Sequence, residues 1–565
     1  MSGTGVRKEG GTMKKEKSNS LKAYRNAAER GDAESQLQLG VLYQLGQGVA
    51  QDDREAVKWY RKAAEQGHAD AQYNLGLMYY RGAGVDKESR LAAQWLSKAA
   101  ERGHASSQYN LGVMYAEGDG VPQNLQRAVQ WFEKAAAAED GEAQCYLGFL
   151  YAEGRGVQQD AQVAAGWFRK AAEKGDPLAQ FNLGKLCEEG KGVAQDVQEA
   201  VKWYRLAAEQ GDAASQDALG ELYAEGRGVA REDAEAVKWY RLAAEQELAN
   251  SQYRLGLMIH LGRGVAREDA EAVRWYRKAA DQGDARAQNS LGLMYGMGHG
   301  VDRNPVEAVK WYRKAAKQEY ADAQYNLGTV YLQGDGLPKN DKEAMNWFRR
   351  VAKRGHAAAQ YALGLLYADG LGGAVDGREA ARCYRQAAEQ GHAAAQCNLG
   401  ICYARGEGLP QDDQEAVAWF RRSAEQGYAV GQYNLGLLYA EGRGVPQNFQ
   451  EAARWYQLAA EQGHAGSQSN LGGLFYRGEG VGRKISDAVQ LFRQAAEQGH
   501  AEGQYNLGLL YAKGEGVVRD YVQALSWAIR ALAQGNQEAI RLREILIGRM
   551  TPAQRTQAEK LAQTA

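Results

Sequence analysis

Residues 55–85 read EAVKWYRKAAEQGHADAQYNLGLMYYRGAGV, and this stretch decides the fold. It holds the end of one structural unit and the start of the next. In its first part Ala56, Tyr60, Ala63 and Ala64 recur at the spacing of one helix face, with Trp59 beside them. In its second part Ala71, Leu75, Met78 and Tyr79 fall at i, i+4, i+7 and i+8, again one face of a helix. Gly67 lies between the two as a helix-ending residue that needs a positive φ. The pattern Gly82-x-Gly84-Val85 allows a tight reversal and sets an apolar plug behind it.

Outward from here the pattern repeats without a slip. The pair Leu75-Gly76 has copies at Leu39-Gly40, Leu111-Gly112 and onward every 36 residues to Leu507-Gly508, fourteen in all, each with a Gln four residues before the glycine. All twelve tryptophans share one register, including Trp59, Trp95, Trp131 and Trp203; Cys383 and Leu491 are the two exceptions in it. Self-similarity at this period marks a solenoid, in which no unit buries enough surface alone and neighbours stack into a continuous core. The expected fold is therefore all-α, an α/α superhelical solenoid of fourteen 36-residue helix-turn-helix repeats over 32–535. A capping helix is expected at 18–31, capping helices at 536–565, and a disordered basic tail at 1–17. A glycine inside a helix costs about 1 kcal/mol against alanine, so Gly40, Gly76, Gly112 and their copies must receive a bulky group. The indole of the second helix is the expected one.

Composition narrows function. Lys plus Arg number 69 and Asp plus Glu 70, a balance that lacks the basic excess of a dedicated nucleic-acid binder. No apolar run reaches the length of a membrane span. The N-terminus, whether it starts at Met1 or Met13, carries no apolar signal region. Five cysteines at irregular spacing make no disulfide framework, which points to the cytoplasm. No Ser/His/Asp arrangement, phosphate loop or metal-ligand spacing is present, so neither a cofactor nor a metal is expected. Six of the eight histidines (His68, His104, His356, His392, His464 and His500) share the register after the inter-repeat glycine, where Asp32, Asp176, Asp212 and Asp284 stand elsewhere. That sharing reads as a turn and helix-entry role.

The run Ala-Gln-Tyr-Asn-Leu-Gly-x-Met-Tyr, then Gly-x-Gly-Val, then Ala-Val-x-Trp-Tyr-x-Lys-Ala-Ala resembles the Sel-one-like repeat family, cousins of the tetratricopeptide repeats, over residues 20–550. The resemblance implies an adaptor that binds other proteins or peptides along the concave face of its solenoid, in a bacterial setting among others. An envelope-associated or secreted role in host contact is the alternative it carries. A cysteine-rich secreted branch staples each repeat with a disulfide. This chain departs from it, because Cys145, Cys187, Cys383, Cys397 and Cys402 each replace a single repeat residue rather than forming pairs.

The candidate partner-binding residues are the Tyr-Asn pairs of the first helices: Tyr73 and Asn74, Tyr109 and Asn110, Tyr325 and Asn326, Tyr433 and Asn434, Tyr505 and Asn506. They lie off the main apolar stripe, and an aromatic with an amide beside it suits recognition of an extended segment. The competing reading is that tyrosine packs between neighbouring first helices while asparagine bonds adjacent backbone. Arg155, Lys191, Arg227 and Arg263 occupy one loop register and form either a basic edge or a row of solvated ion pairs. An enzyme site in the irregular repeat around Cys383 is the remaining rival, set against a buried cysteine acting as a small hydrophobe.

Overall fold

In the computed structural model the described residues are 22 and 24–563; the tail expected at 1–17 and the first residues of the capping helix expected at 18–31 lie outside them. First helices run from Ala33–Leu45 and Ala69–Arg81 to Ala501–Lys513. Second helices run from Asp53–Glu65 and Ser89–Glu101 to Tyr521–Ala533. Among the described residues there is no strand. The fold is the all-α solenoid of fourteen helix pairs. The chain divides into two compact bodies, one to Ala287 and one from Gln288, and in each body successive helix pairs stack through the same contacts.

Each helix is punctuated by its own residues. First helices end on a left-handed glycine, as at Gly82 with φ 72°, a conformation that costs glycine nothing. Gly84 is demanded twice over: its φ is 69°, and a Cβ there would lie 2.3 Å from the Asp53 carbonyl oxygen of the preceding repeat. Ten of the fourteen second helices begin on an acceptor side chain, as where Asp52 accepts from the backbone N–H of Arg54 and Glu55. Three repeats place glutamate where the others have the inter-repeat glycine. Glu139, Glu247 and Glu319 take φ values of 62°, 66° and 62°.

The packing against the helix glycine differs from the sequence expectation. The ring that covers it belongs to the residue after the indole. A Cβ on Gly40 would lie 2.6 Å from the Tyr60 ring, on Gly112 2.7 Å from Phe132, and on Gly220 2.7 Å from Tyr240; at Gly76 the same place is held by Leu96. Tyr60 and Phe132 are fully buried. The indoles of Trp59, Trp95, Trp131 and Trp203 are half-buried and pack toward the preceding repeat; Trp95 lies against a core that includes Ala56, Tyr60 and Ala64. The outer faces of the first three carry a cation from one turn later: Lys62 sits 4.3 Å from the Trp59 ring, Lys98 4.0 Å from Trp95, and Lys134 4.1 Å from Trp131; Trp203 has Leu206 at that position.

The invariant Gln of the first helix has a structural task. Gln72 Nε2 donates to the Ala64 carbonyl at 3.0 Å, and Gln216 to Ala208 at 3.1 Å, so the amide satisfies a carbonyl at the end of the preceding second helix. In several repeats its own oxygen is served in turn by the glutamine that ends the next second helix. Gln66 Nε2 donates to Gln36 Oε1 at 2.7 Å, and Gln246 to Gln216 at 2.9 Å, thirty residues apart. After the last repeat, helix Glu538–Ile547 is followed by helix Pro552–Gln563. The Thr551 hydroxyl accepts there from the Gln554 N–H at 3.3 Å, and Ala558 is buried against Leu542 and Leu546.

Candidate functional site

All ten candidate residues of the Tyr-Asn pairs are half-buried, so each presents one edge outward while the rest is packed. In the first body Tyr73, Tyr109 and Asn110 come together with Ser106, Asp140 and Glu142 around a groove of about 460 Å³. Tyr73 packs on the His104 ring at a centroid distance of 4.7 Å, and Tyr109 packs on Phe132 at 5.8 Å. Burial pushes the Tyr109 hydroxyl up to about 12, so it is a neutral donor at physiological pH. Asn110 Nδ2 donates to the Ser106 carbonyl of its own helix at 2.7 Å.

In the second body the same pairs repeat the arrangement. Tyr325 stacks on His356 at 5.3 Å and Tyr433 packs on His464 at 4.8 Å. Asn326 Nδ2 donates to Asn289 Oδ1 at 2.8 Å, thirty-seven residues back, and Asn434 Nδ2 donates to the Val430 carbonyl at 2.8 Å. Tyr505 lines a separate groove of about 480 Å³ with Leu509, Glu538, Arg541 and Ile545. The tyrosine rings thus pack against side chains of the same or the next repeat, and the asparagine amides are held by their own helix or, at Asn326, by the preceding repeat.

The row is interrupted in the first body by a charged cluster that sequence reading missed. Asp217 stands in the tyrosine register and accepts from Asn250 Nδ2 and Ser251 Oγ, both at 2.6 Å. Arg254 stands in the asparagine register and reaches Glu221 at 2.9 Å and the Tyr240 hydroxyl at 3.1 Å. Arg286 lies 4.5 Å over the Tyr253 ring. The signal was present in the registers, since Asp and Arg break a run of Tyr and Asn at matched positions.

Five of the six histidines in the shared register, all but His68, cap a helix through the side chain. His104 Nδ1 accepts from the Ser107 N–H at 3.1 Å, and His392 Nδ1 from Ala395 at 3.2 Å, as Asp176 and Asp212 do with Ala179 and Ser215 at 2.7 Å. Burial holds His104, His392, His464 and His500 below the usual histidine range. Among the described residues no group of three His, Cys, Asp or Glu has metal-site geometry. The loop cations are ion-paired: Arg155 with Glu153 at 3.3 Å, Lys191 with Glu189 at 2.7 Å, Arg227 with Glu225 at 2.6 Å, and Arg263 with Asp233 at 2.8 Å. All five cysteines are free and buried. Burial raises the Cys383 thiol to about 11, the opposite of what a nucleophile needs. No helix among the described residues is long and apolar enough to cross a membrane.

Comparison with known proteins agrees with the repeat. The Sel1 repeat model matches fourteen consecutive segments, from 33–68 to 501–536. Among solved structures, c5321, a protective antigen present in uropathogenic Escherichia coli strains displaying an SLR fold, is 34% identical over 90% of this chain and 93% of its own, with a TM-score of 0.47. A Sel1 repeat protein from Oxalobacter formigenes is 34% identical over 55% of this chain and 90% of its own, with a TM-score of 0.45. A putative Sel1 repeat protein from Klebsiella pneumoniae is 23% identical over 36% and 98%, with a TM-score of 0.25. No curated protein matches. With its helix pairs, its helix glycines and fourteen matched segments all in one register, the chain belongs to the Sel1 repeat family.

Proposed function

We propose that this protein is a non-catalytic scaffold that holds another protein or peptide along the Tyr-Asn row of its first helices. The observation that carries the reading is the groove at Tyr73, Tyr109 and Asn110. It joins aromatic edges to polar groups in adjacent repeats, the combination that recognises an extended chain by stacking and backbone hydrogen bonds. Supporting it, the asparagine amide nitrogen of Asn110 and Asn434 is committed to the helix, which holds the side chain in place and leaves its carbonyl oxygen for a ligand N–H. The titratable groups most suited to catalysis are otherwise occupied, with histidines capping helices and thiols buried. The free state of the cysteines favours the cytoplasm as the compartment.

A photo-cross-linking side chain at Asn74 or Asn434 tests this in the native host. Adducts with one or a few proteins are expected, and they should be lost in a Tyr73→Ala/Tyr109→Ala variant for the first site and in Tyr433→Ala for the second. Capture of the same proteins from an exposed second-helix position such as Lys58, with none from the first helices, would refute the assignment. Recovery of the protein outside the cytosol on fractionation would refute the compartment.

A further inference from the structure

Leu491 stands in the register that carries tryptophan in twelve of the fourteen repeats. The filled repeats define what that register builds. The indole lies toward the preceding second helix; in nine of the twelve a cation one turn later covers its outer face, and at two a carboxylate one turn earlier accepts its N–H, whereas the N–H of Trp239, Trp311 and Trp455 is buried without a partner. Trp203 Nε1 donates to Glu199 at 3.2 Å, and Trp275 Nε1 to Glu271 at 3.3 Å. Lys314 lies 3.7 Å over Trp311, and Arg422 lies 4.4 Å over Trp419.

At Leu491 the slot is open. The alanine that ends each second helix reports on it. Ala64, Ala208, Ala424 and Ala496, each one repeat ahead of an indole, are 1–2% exposed; Ala352, ahead of Cys383, is 8% exposed. Ala460, ahead of Leu491, is the alanine of this register that is half-buried. The space beside it measures about 470 Å³, within the roughly 300–1,000 Å³ of small-ligand sites. Its apolar surface comes from Ala460, Leu471, Phe475 and Leu491, and its rim carries Glu461 and Asp487. Asp487 occupies the register of Glu199 and Glu271. It keeps a side chain 43% exposed, with Lys484 at 3.8 Å and the Ser486 hydroxyl at 3.1 Å as its neighbours. Gln494 takes the place of the covering cation, so the slot is lined by two acids and no base.

We propose that this slot binds the indole of a tryptophan presented by a partner polypeptide next to a lysine or arginine. The chain supplies the apolar floor and the acceptor but lacks the ring and the cation that complete the same site elsewhere, and a Trp-Lys pair on a partner supplies both. Its indole N–H meets Asp487, and its cation meets Glu461 or Asp487. Tryptophan with a neighbouring cation is also the side-chain type that anchors interfaces most strongly. The site lies between the second helices Phe449–Glu461 and Ile485–Glu497, with Leu471 and Phe475 of the first helix between them, and shares no residue with the candidate Tyr-Asn pairs.

The test titrates the full chain with an acetylated, amidated Lys-Trp-Lys peptide carrying 5-fluorotryptophan, followed by fluorine NMR. Saturable binding with a Kd of about 1 mM or tighter is expected, with Glu-Trp-Glu bound about threefold to fivefold more weakly and Lys-Leu-Lys not bound. Leu491→Trp should abolish binding by filling the slot. Ala460→Leu should abolish it from the opposite wall, which keeps the test valid if one variant perturbs folding as read by circular dichroism. Absence of saturation, or equal binding by both variants, overturns the proposal. Equal affinity for the Lys- and Glu-flanked peptides overturns the assigned charge preference.

Discussion

The glutamine ladder makes a sharp quantitative prediction at Ala138. Where the second helix ends in glutamine, its amide serves the oxygen of the first-helix glutamine, as at Gln66 and Gln246. Where that residue is Arg102, Ala138 or Lys174, the oxygens of Gln72, Gln108 and Gln144 are buried without a partner. (Gln504 is also unpaired, although Gln534 occupies the register.) An unmet buried acceptor costs about 1–3 kcal/mol. Ala138 has φ −85° and ψ 18°, and Gln246 and Gln318 have φ −86° with ψ 18° and 15° while donating to Gln216 and Gln288 at 2.9 Å. Both are followed by a left-handed glutamate, as Ala138 is by Glu139. Ala138→Gln thus enters a backbone already used for this bond. After about 1 kcal/mol of lost rotamer freedom, a net gain of about 1 kcal/mol is expected.

Whole-chain melting dilutes a local effect in a repeat array, because each repeat contacts only its neighbours. Amide exchange resolves it. Peptides from Ala105–Glu117 and Leu125–Ala137 should exchange about fivefold more slowly in Ala138→Gln, while those beyond two repeats stay unchanged. Ala138→Leu is the control, since it adds side-chain bulk without a donor. Equal protection by Leu and Gln, or none by either, would show that the ladder bond does not hold these helices.

Three further outcomes follow from the same geometry. Gly220→Ala should destabilise through a 2.7 Å clash with the Tyr240 ring, and in a double-mutant cycle with Tyr240→Ala the coupling should reach about 1–3 kcal/mol; additive losses would deny the contact. Glu247→Gly should stabilise its repeat by about 1 kcal/mol, since its φ of 66° costs a side chain what glycine does not lose; slower exchange across Ala249–Leu261 checks it. The histidine caps set a pH dependence. Burial holds the folded pKa of His392, His464 and His500 below the unfolded 6.5, so the unfolded chain takes up protons first. Stability is then full above 6.5 and falls as pH drops below it. Replacing all three with aspartate, the residue used at Asp176 and Asp212, should flatten the melting temperature between about pH 7 and pH 5, and an unchanged slope would place the titration elsewhere.

Much of this was legible in one line of sequence. The helix pairs, the turn glycines, the capping role of the histidine register and the pairing of Arg155, Lys191 and Arg227 with a nearby glutamate all follow from period and local chemistry, because each involves residues within a few positions of one another; Arg263 instead pairs with Asp233, thirty residues back, which local spacing does not state. The ring against the helix glycine was not legible. Trp59 and Tyr60 are adjacent, both bulky, and only about 100° apart around a helix; the crossing geometry, which the pattern does not state, turns Tyr60 inward and leaves Trp59 half-buried. The ladder was equally hidden, since Gln36 and Gln66 are thirty residues apart and a glutamine in a helix is unremarkable alone. For the candidate site, the pattern located the Tyr-Asn row but could not say that Asn110 would spend its donor on Ser106.

The rungs between repeats also explain how the row can vary. Second-helix arginines donate to a tyrosine hydroxyl of the next first helix, as Arg205 does to Tyr223 at 2.6 Å and Arg385 to Tyr403 at 2.8 Å. Three repeats lack that tyrosine, having Cys187, Ile259 and Phe475 in its place, and the first two keep the arginine of the preceding second helix. There Arg169 and Arg241 turn to Glu199 and Glu271, at 2.8 and 2.9 Å, the same carboxylates that accept the indole N–H of Trp203 and Trp275. These two arginines therefore have a second acceptor in reach, and losing the first strands neither donor. A first helix can change its side chains while the stacking beneath it keeps its hydrogen bonds. That separation of a changeable outer row from a self-compensating inner one is what a scaffold requires if its repeats are to diverge toward different partners without losing register.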